Sequence, residues 1–250
     1  TMVSILAMVV GCFSKAVYIP FLALYWLMPK DKFYSRRQKN LFKAGIFVLL
    51  ILMFASFILP LIGNVTSGAE VGDYRGGDTS QTSQLSMILG YPLTYTGVLL
   101  KSLGTTFASY FIGSKVLANF AYRGIYDGIG YFVVLLTMLF TFVTDFGMTE
   151  KIYDAQMKRK IFIMKIWNAV LIFGTACLVW TALYLDFTPV GSMVINGVSP
   201  RYYLPLIFPL SLIFINQKVR CSMKLENYQS LIAFLMLIGT GISIYCLMLA

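Results

Sequence analysis

Hydrophobic residues run almost unbroken through several stretches of this chain, and polar residues gather in the intervals between them. Ala44 to Gly63 carries no charge, and neither does Ile166 to Leu185 or Asn227 to Ala250. Each comes close to the roughly 20 apolar residues that a helix needs to cross a bilayer. Gly128 to Thr144 and Tyr202 to Gln217 are shorter and are completed from their flanks. The pattern therefore predicts spans at 44–63, about 128–146, 163–185, 200–217 and 228–250.

The first apolar run, Met2 to Met28, has two readings. One is a single long helix with Lys15 near its middle. The other is a pair of helices broken at Phe13-Ser14-Lys15, with Ser14 capping the second, Pro20 kinking it and Pro29 ending it. A lysine in mid-membrane is costly unless it faces a polar cavity, which favours the broken hairpin. Residues 1–63 then form one membrane region, 64–127 a segment between spans, and 128–250 a second membrane region.

The intermediate segment differs from its flanks. Residues 64 to 80 are polar and glycine-rich, which predicts a loop. Asp78, Thr79 or Ser80 then caps a helix running to about Gly90, with Leu85, Ile88 and Leu89 on one face. Tyr91-Pro92 marks a break, and Pro92 suits the first turn of a helix from Leu93 to Val116. That helix mixes Leu, Phe and Tyr with Thr, Ser, Gly, Lys101 and Lys115. It is too polar for a lipid-facing span and fits a helix lying at the membrane surface.

Charge supplies the orientation. Lys30, Lys32, Arg36, Arg37, Lys39 and Lys43 are opposed in their interval only by Asp31. Lys151, Lys158, Arg159, Lys160 and Lys165 occupy a second interval, and Lys218, Arg220 and Lys224 a third. Threading the chain through the spans puts all three on one side, which the positive-inside rule makes cytoplasmic, and puts 64–127 and 186–201 outside.

With 58% apolar and 12% charged residues, and a mean hydropathy of +0.78, the chain has more apolar surface than one soluble core hides. The formal charge of +10 does not point to nucleic acid, because the cations sit beside apolar runs and not on one face of a soluble module. The absence of histidine excludes imidazole catalysis and ligation in this stretch. Cys12, Cys177, Cys221 and Cys246 lack metal-ligand spacing and predict neither a zinc site nor a disulfide framework. The chain starts and stops inside apolar runs with no signal-peptide pattern, as expected of a piece of a longer protein.

Two places carry candidate chemistry. Arg201, followed by Tyr202 and Tyr203, stands at the outer mouth of a span. It can grip a phosphate bidentately, or simply snorkel to headgroups above an interfacial tyrosine belt. Lys15, near Tyr18, can neutralise an anionic headgroup or end a helix as a snorkelling lysine. On the residues alone the second reading is preferred at both places. Glu70, Asp73, Asp78 and Asp127 on the outer side read as solvated acids, since Asp73 to Asp78 lacks the ligand series of a calcium loop. Asn64-Val65-Thr66 matches a glycosylation acceptor, and Gly239-Thr240-Gly241 reads as helix packing. No phosphate-cradling glycine loop or nucleophile elbow is present, so cytosolic ATP chemistry is unsupported; no cofactor or metal is predicted, with a divalent cation left open.

Four elements in order, namely Ser14-Lys15, the basic interval after Pro29, Gln84-Leu85-Ser86-Met87-Ile88-Leu89-Gly90-Tyr91-Pro92, and Arg201-Tyr202-Tyr203-Leu204-Pro205, resemble a bacterial polytopic membrane family, domain of unknown function 2142. Members of that family often show glycine before the arginine, where this chain has Ser199-Pro200. The family in turn resembles membrane glycosyltransferases of the GT-C type, which use polyprenyl-phosphate-linked sugars. The resemblance implies an all-α polytopic bundle with surface-lying outer helices, in a bacterial cytoplasmic membrane. It implies sugar transfer to a glycan acceptor in cell-envelope synthesis, with Arg201 and Lys15 on the donor phosphate and Tyr202 and Tyr203 in support. The acceptor-activating aspartate of that fold group belongs to a first outer loop preceding this chain. A transporter or flippase of envelope lipids or sugars, and a non-catalytic scaffold, are the alternatives.

Overall fold

In lipid, a backbone N–H or C=O has no water to bond, so a long apolar run must satisfy its polar groups within itself and winds into a helix. The computed structural model follows that rule. It describes residues 2–13, 15–67, 78–120, 123–144, 155–214, 219 and 221–249. Among these it is all-α, with one isolated bridge, Asn119 to Ile125, closing a short loop. The helices are α1 (Met2–Phe13), α2 (Arg36–Ser67), α3 (Gln81–Gly90), α4 (Pro92–Phe111), α5 (Ser114–Leu117), α6 (Ile129–Thr144), α7 (Ala155–Phe187), α8 (Leu204–Phe214) and α9 (Leu225–Leu249). Three-ten helices cover Ala16–Leu27, Lys30–Lys32 and Pro200–Tyr203.

Among the described residues three stretches are long and apolar enough to cross a membrane: Arg36–Pro60, Lys158–Phe187 and Leu225–Leu249, of 25, 30 and 25 residues. Their side chains mostly face outward, with Leu59 64% and Leu237 73% exposed. A water-soluble fold does not present so much contiguous apolar surface, whereas in lipid it is ordinary. Within the described residues α6 extends over 16 residues and α8 over 11. At 1.5 Å per residue these cover about 24 and 16 Å.

Several element limits differ from the sequence expectation. The cations Lys158, Arg159, Lys160 and Lys165 do not lie in a loop but on the first turns of α7, since Lys and Arg are good helix formers and no breaker separates them from the apolar run. Lys151, Lys218 and Arg220 lie outside the described residues, as do Ser14, Glu70 and Asp73. Helix α2 continues past Gly63 to Ser67, so the loop starts later than residue 64. Helix α4 stops at Phe111 and not at Val116. Gly113 is the reason: the chain doubles back so tightly that a Cβ there would collide with the backbone of Ser109.

The chain forms two compact units, each described by itself. The first comprises Thr1–Gly104 and Val170–Val198. In it α1 ends at Phe13 and a separate three-ten helix, not a kinked α-helix, follows from Ala16. Pro20 has no N–H for a helical ladder, and packing compensates: Cys12, Ile19, Leu22 and Met53 form a buried cluster between α1, this helix and α2. The Cys12 thiol donates to the Tyr18 carbonyl at 3.4 Å, and Trp26 Nε1 donates to the Lys43 carbonyl at 3.3 Å.

Helix α3 begins where Ser80 Oγ accepts from the Ser83 N–H. Its buried residue is polar. Gln84 is fully buried, whereas Leu89, expected on the packed face, is 73% exposed. Gln84 Oε1 accepts from the Gly191 N–H at 3.3 Å, and its Nε2 donates to the Pro189 carbonyl at 3.4 Å. Tyr184, on α7, meets the Tyr95 ring of α4 in a tilted pair at 5.1 Å and donates to the Ser192 carbonyl at 3.3 Å. Gly197, at φ +79°, turns the end of this loop against the Phe187 ring, where a Cβ has no room. Gln84→Leu keeps the volume but removes the bonds to the Gly191 N–H and the Pro189 carbonyl. We expect a loss of about 1–3 kcal/mol and faster proteolysis of the loop from 188 to 198. Unchanged cleavage in limited proteolysis would show that the amide does not clamp the loop.

The second unit comprises Thr105–Ala169 and Ser199–Ala250. Its centre is α6 against α9. Tyr126 donates to Cys246, Gly130 lies against Gly239 and Ser243, and Thr144 Oγ1 is 2.9 Å from the Tyr228 hydroxyl. The pairs step in opposite directions along the two segments, so the helices are antiparallel. Two apolar helices gain no hydrophobic energy by meeting in lipid, and the small residues let their backbones approach instead.

Candidate functional site

Arg201 lies in the second unit, in the three-ten turn Pro200–Tyr203 that leads into α8. Ser199 is extended at the turn's N-cap, and Pro200 presets the first helical φ, so the Ser-Pro pair replaces a glycine without strain. The Arg201 side chain is exposed and Tyr202 half-buried. Tyr203 is 1% exposed, with its ring edge-on to Tyr110 at 5.4 Å and to Phe111 at 4.9 Å. Burial pushes the Tyr110 phenol up, so it stays neutral. The buried tyrosine therefore anchors the turn while the arginine two residues earlier remains open to the surroundings.

Helix α5 packs against this same turn and also against α6. It carries Lys115, which is exposed. The structure thus adds a second cation on an element adjoining Arg201, one that the sequence reading treated only as a polar residue on a long helix. The signal available in the sequence was Gly113, which ends α4 and turns Lys115 out of its register.

Lys15 belongs to the first unit. It is exposed and extended (φ −149°, ψ 100°) at the junction between α1 and the three-ten helix. Its N–H donates to the Cys12 carbonyl at 3.1 Å, and its carbonyl accepts from Tyr18 at 3.2 Å. Asp78 and Asp127 are exposed. A carboxylate passed over in the sequence, Asp186, accepts from Gln81 Nε2 at 2.5 Å near the end of α7. Its signal was a single acid closing the uncharged run from Ile166. Among the described residues no group of three or more Cys, Asp or Glu is placed to hold a metal ion.

An all-α membrane protein with a basic turn leading into one helix is the class that fold and site define. The chain belongs to the family described as predicted membrane protein (DUF2142), whose profile matches residues 1–210. The match includes the segments around Lys15, Gln84 and Arg201 and ends within α8. No curated protein and no solved structure matches the chain.

Proposed function

We propose that this chain is part of a lipid-linked-sugar glycosyltransferase-like protein, multi-pass in a bacterial cytoplasmic membrane, in which the Arg201 turn receives the donor's phosphate on the outer face. The observation that carries the reading is the pairing of an exposed Arg201 with a buried Tyr203 in one turn. A guanidinium fork matches two phosphate oxygens, and it holds an anion best when its backbone does not move. Lys115 adds charge on the helix packed against the turn, and Lys15 is a further basic contact of the same chemical kind in its own unit. During transfer, positive charge fixed at this turn stabilises the charge that builds on the departing lipid phosphate. The sugar passes to a glycan acceptor whose activating acid is expected elsewhere in the full protein.

The test compares Arg201→Ala and Arg201→Lys in the full-length protein, reading polyprenyl-phosphate binding and sugar transfer. Charge-assisted hydrogen bonds contribute about 1.5–3 kcal/mol, so alanine should weaken binding by about 10- to 100-fold, with lysine in between. The exposed side chain leaves thermal stability unchanged. Alanine protein that binds and transfers like wild type would remove Arg201 from the mechanism. Substrate movement across vesicles without any transfer product would place the protein among transporters instead.

A further inference from the structure

The basic residues before the first long span do more than mark a side of the membrane. Lys30, Phe33, Tyr34, Arg36, Lys39 and Lys43 line a cavity of about 530 Å³, together with Ser35 and Asn40, all within the first unit. Among the described side chains that line it none is acidic. Arg36, Lys39 and Lys43 recur at helical spacing along one face of α2, and Lys30 comes from the preceding three-ten turn. Lys39 shares the cavity with Lys43 and Lys30, all of one charge. Like charges gathered around a concavity are unfavourable when it is empty, and an anion relieves the repulsion.

The cavity is also held in shape. Ser35 Oγ accepts from the Gln38 N–H at 3.1 Å, and Gln38 Oε1 accepts from the Tyr34 N–H at 2.9 Å, a reciprocal arrangement of the capping-box type. The Phe33 and Phe42 rings meet at 5.2 Å, and Trp26 bonds the Lys43 carbonyl. The turn carrying Lys30 is thus fastened to the helix carrying the other three cations. A set of solvated lysines that only orients the chain needs none of this.

We propose that this cavity is a binding site for a phosphate group at the membrane surface, a reading that does not depend on the one given to the Arg201 turn. Four cationic side chains surround the phosphate, and Phe33 and the fully exposed Tyr34 supply the aromatic contacts that a lipid interface favours. The phosphate comes either from an anionic lipid headgroup or from a free phosphate anion, and the two share this chemistry.

The test relocates one charge without changing the total. Lys39→Gln combined with Leu41→Lys takes a cation out of the cavity and puts it at an exposed position of the same helix that does not line it. Orientation by the positive-inside rule is therefore preserved. The full chain, purified in detergent, is titrated with phosphatidylglycerol, and bound lipid is counted by native mass spectrometry, with and without inorganic phosphate as competitor. The relocated variant should bind about fivefold more weakly, the weight of one basic residue near an anionic surface. Lys160→Gln, outside the cavity, serves as control and should bind as wild type. Displacement by inorganic phosphate identifies a free-anion site, and resistance to it a headgroup site. Lipid binding by the relocated variant equal to wild type, or an equal loss in the Lys160→Gln control, would overturn the proposal. A melting temperature equal to wild type establishes that the variant is folded.

Discussion

Replacing Tyr203 by alanine is expected to destabilise the protein by about 3–5 kcal/mol, the range for emptying a buried aromatic site. The ring is closed off by Tyr110 and Phe111, so its removal leaves a cavity that neither neighbour can fill without leaving its own helix. Because the same residue anchors the turn carrying Arg201, binding at that turn should fall as well. Tyr203→Phe separates packing from hydroxyl chemistry. It keeps both edge-on contacts and should lose only about 1 kcal/mol. Denaturant or thermal unfolding in detergent measures the stability of both variants. Alanine protein that unfolds with wild type would mean that the aromatic cluster does not fasten the turn.

The second large effect lies between α6 and α9. A Cβ on Gly130 would overlap the Ser243 hydroxyl and the Gly239 carbonyl, and one on Gly239 would press on Val134 at 2.9 Å. Gly130→Leu should therefore push the two helices apart, at a cost of at least about 3 kcal/mol, the upper part of the range for overpacking. Gly241 is the internal comparison, since a Cβ there meets nothing within 4 Å. Gly241→Ala should be neutral or slightly stabilising, because alanine favours a helix by about 1 kcal/mol over glycine. Equal unfolding of Gly130→Leu and wild type would refute the close antiparallel pairing.

The contrast between Gly239 and Gly241 shows where reading the sequence stops. Gly239-Thr240-Gly241 suggests helix packing, and the structure assigns that role to Gly239 alone. Two positions along a helix are about 200° apart, so adjacent small residues cannot both face one partner. The same limit applies at Arg201-Tyr202-Tyr203. Composition places an arginine and two tyrosines at a helix mouth, but it does not tell which ring is buried. Gln84 is a sharper case, because amphipathic spacing picks out Leu85, Ile88 and Leu89, whereas the fold buries an amide to bond a loop joined far along the chain. Of the polar stretch 64 to 80, expected as a loop, residues 68–77 lie outside the described residues.

The sequence by itself determined that this protein is all-α and belongs in a membrane, where its long apolar helices lie and where its cations cluster. Those are local properties: about 20 apolar residues in lipid have no backbone solution other than a helix, and charge avoids the hydrocarbon wherever it can. Only the tertiary structure decided that Tyr203 anchors the Arg201 turn, that α5 brings Lys115 to it, that Gln84 clamps a loop and that four cations enclose one cavity. Each depends on steric fit between segments distant along the chain, and such fit leaves no periodicity in either segment alone.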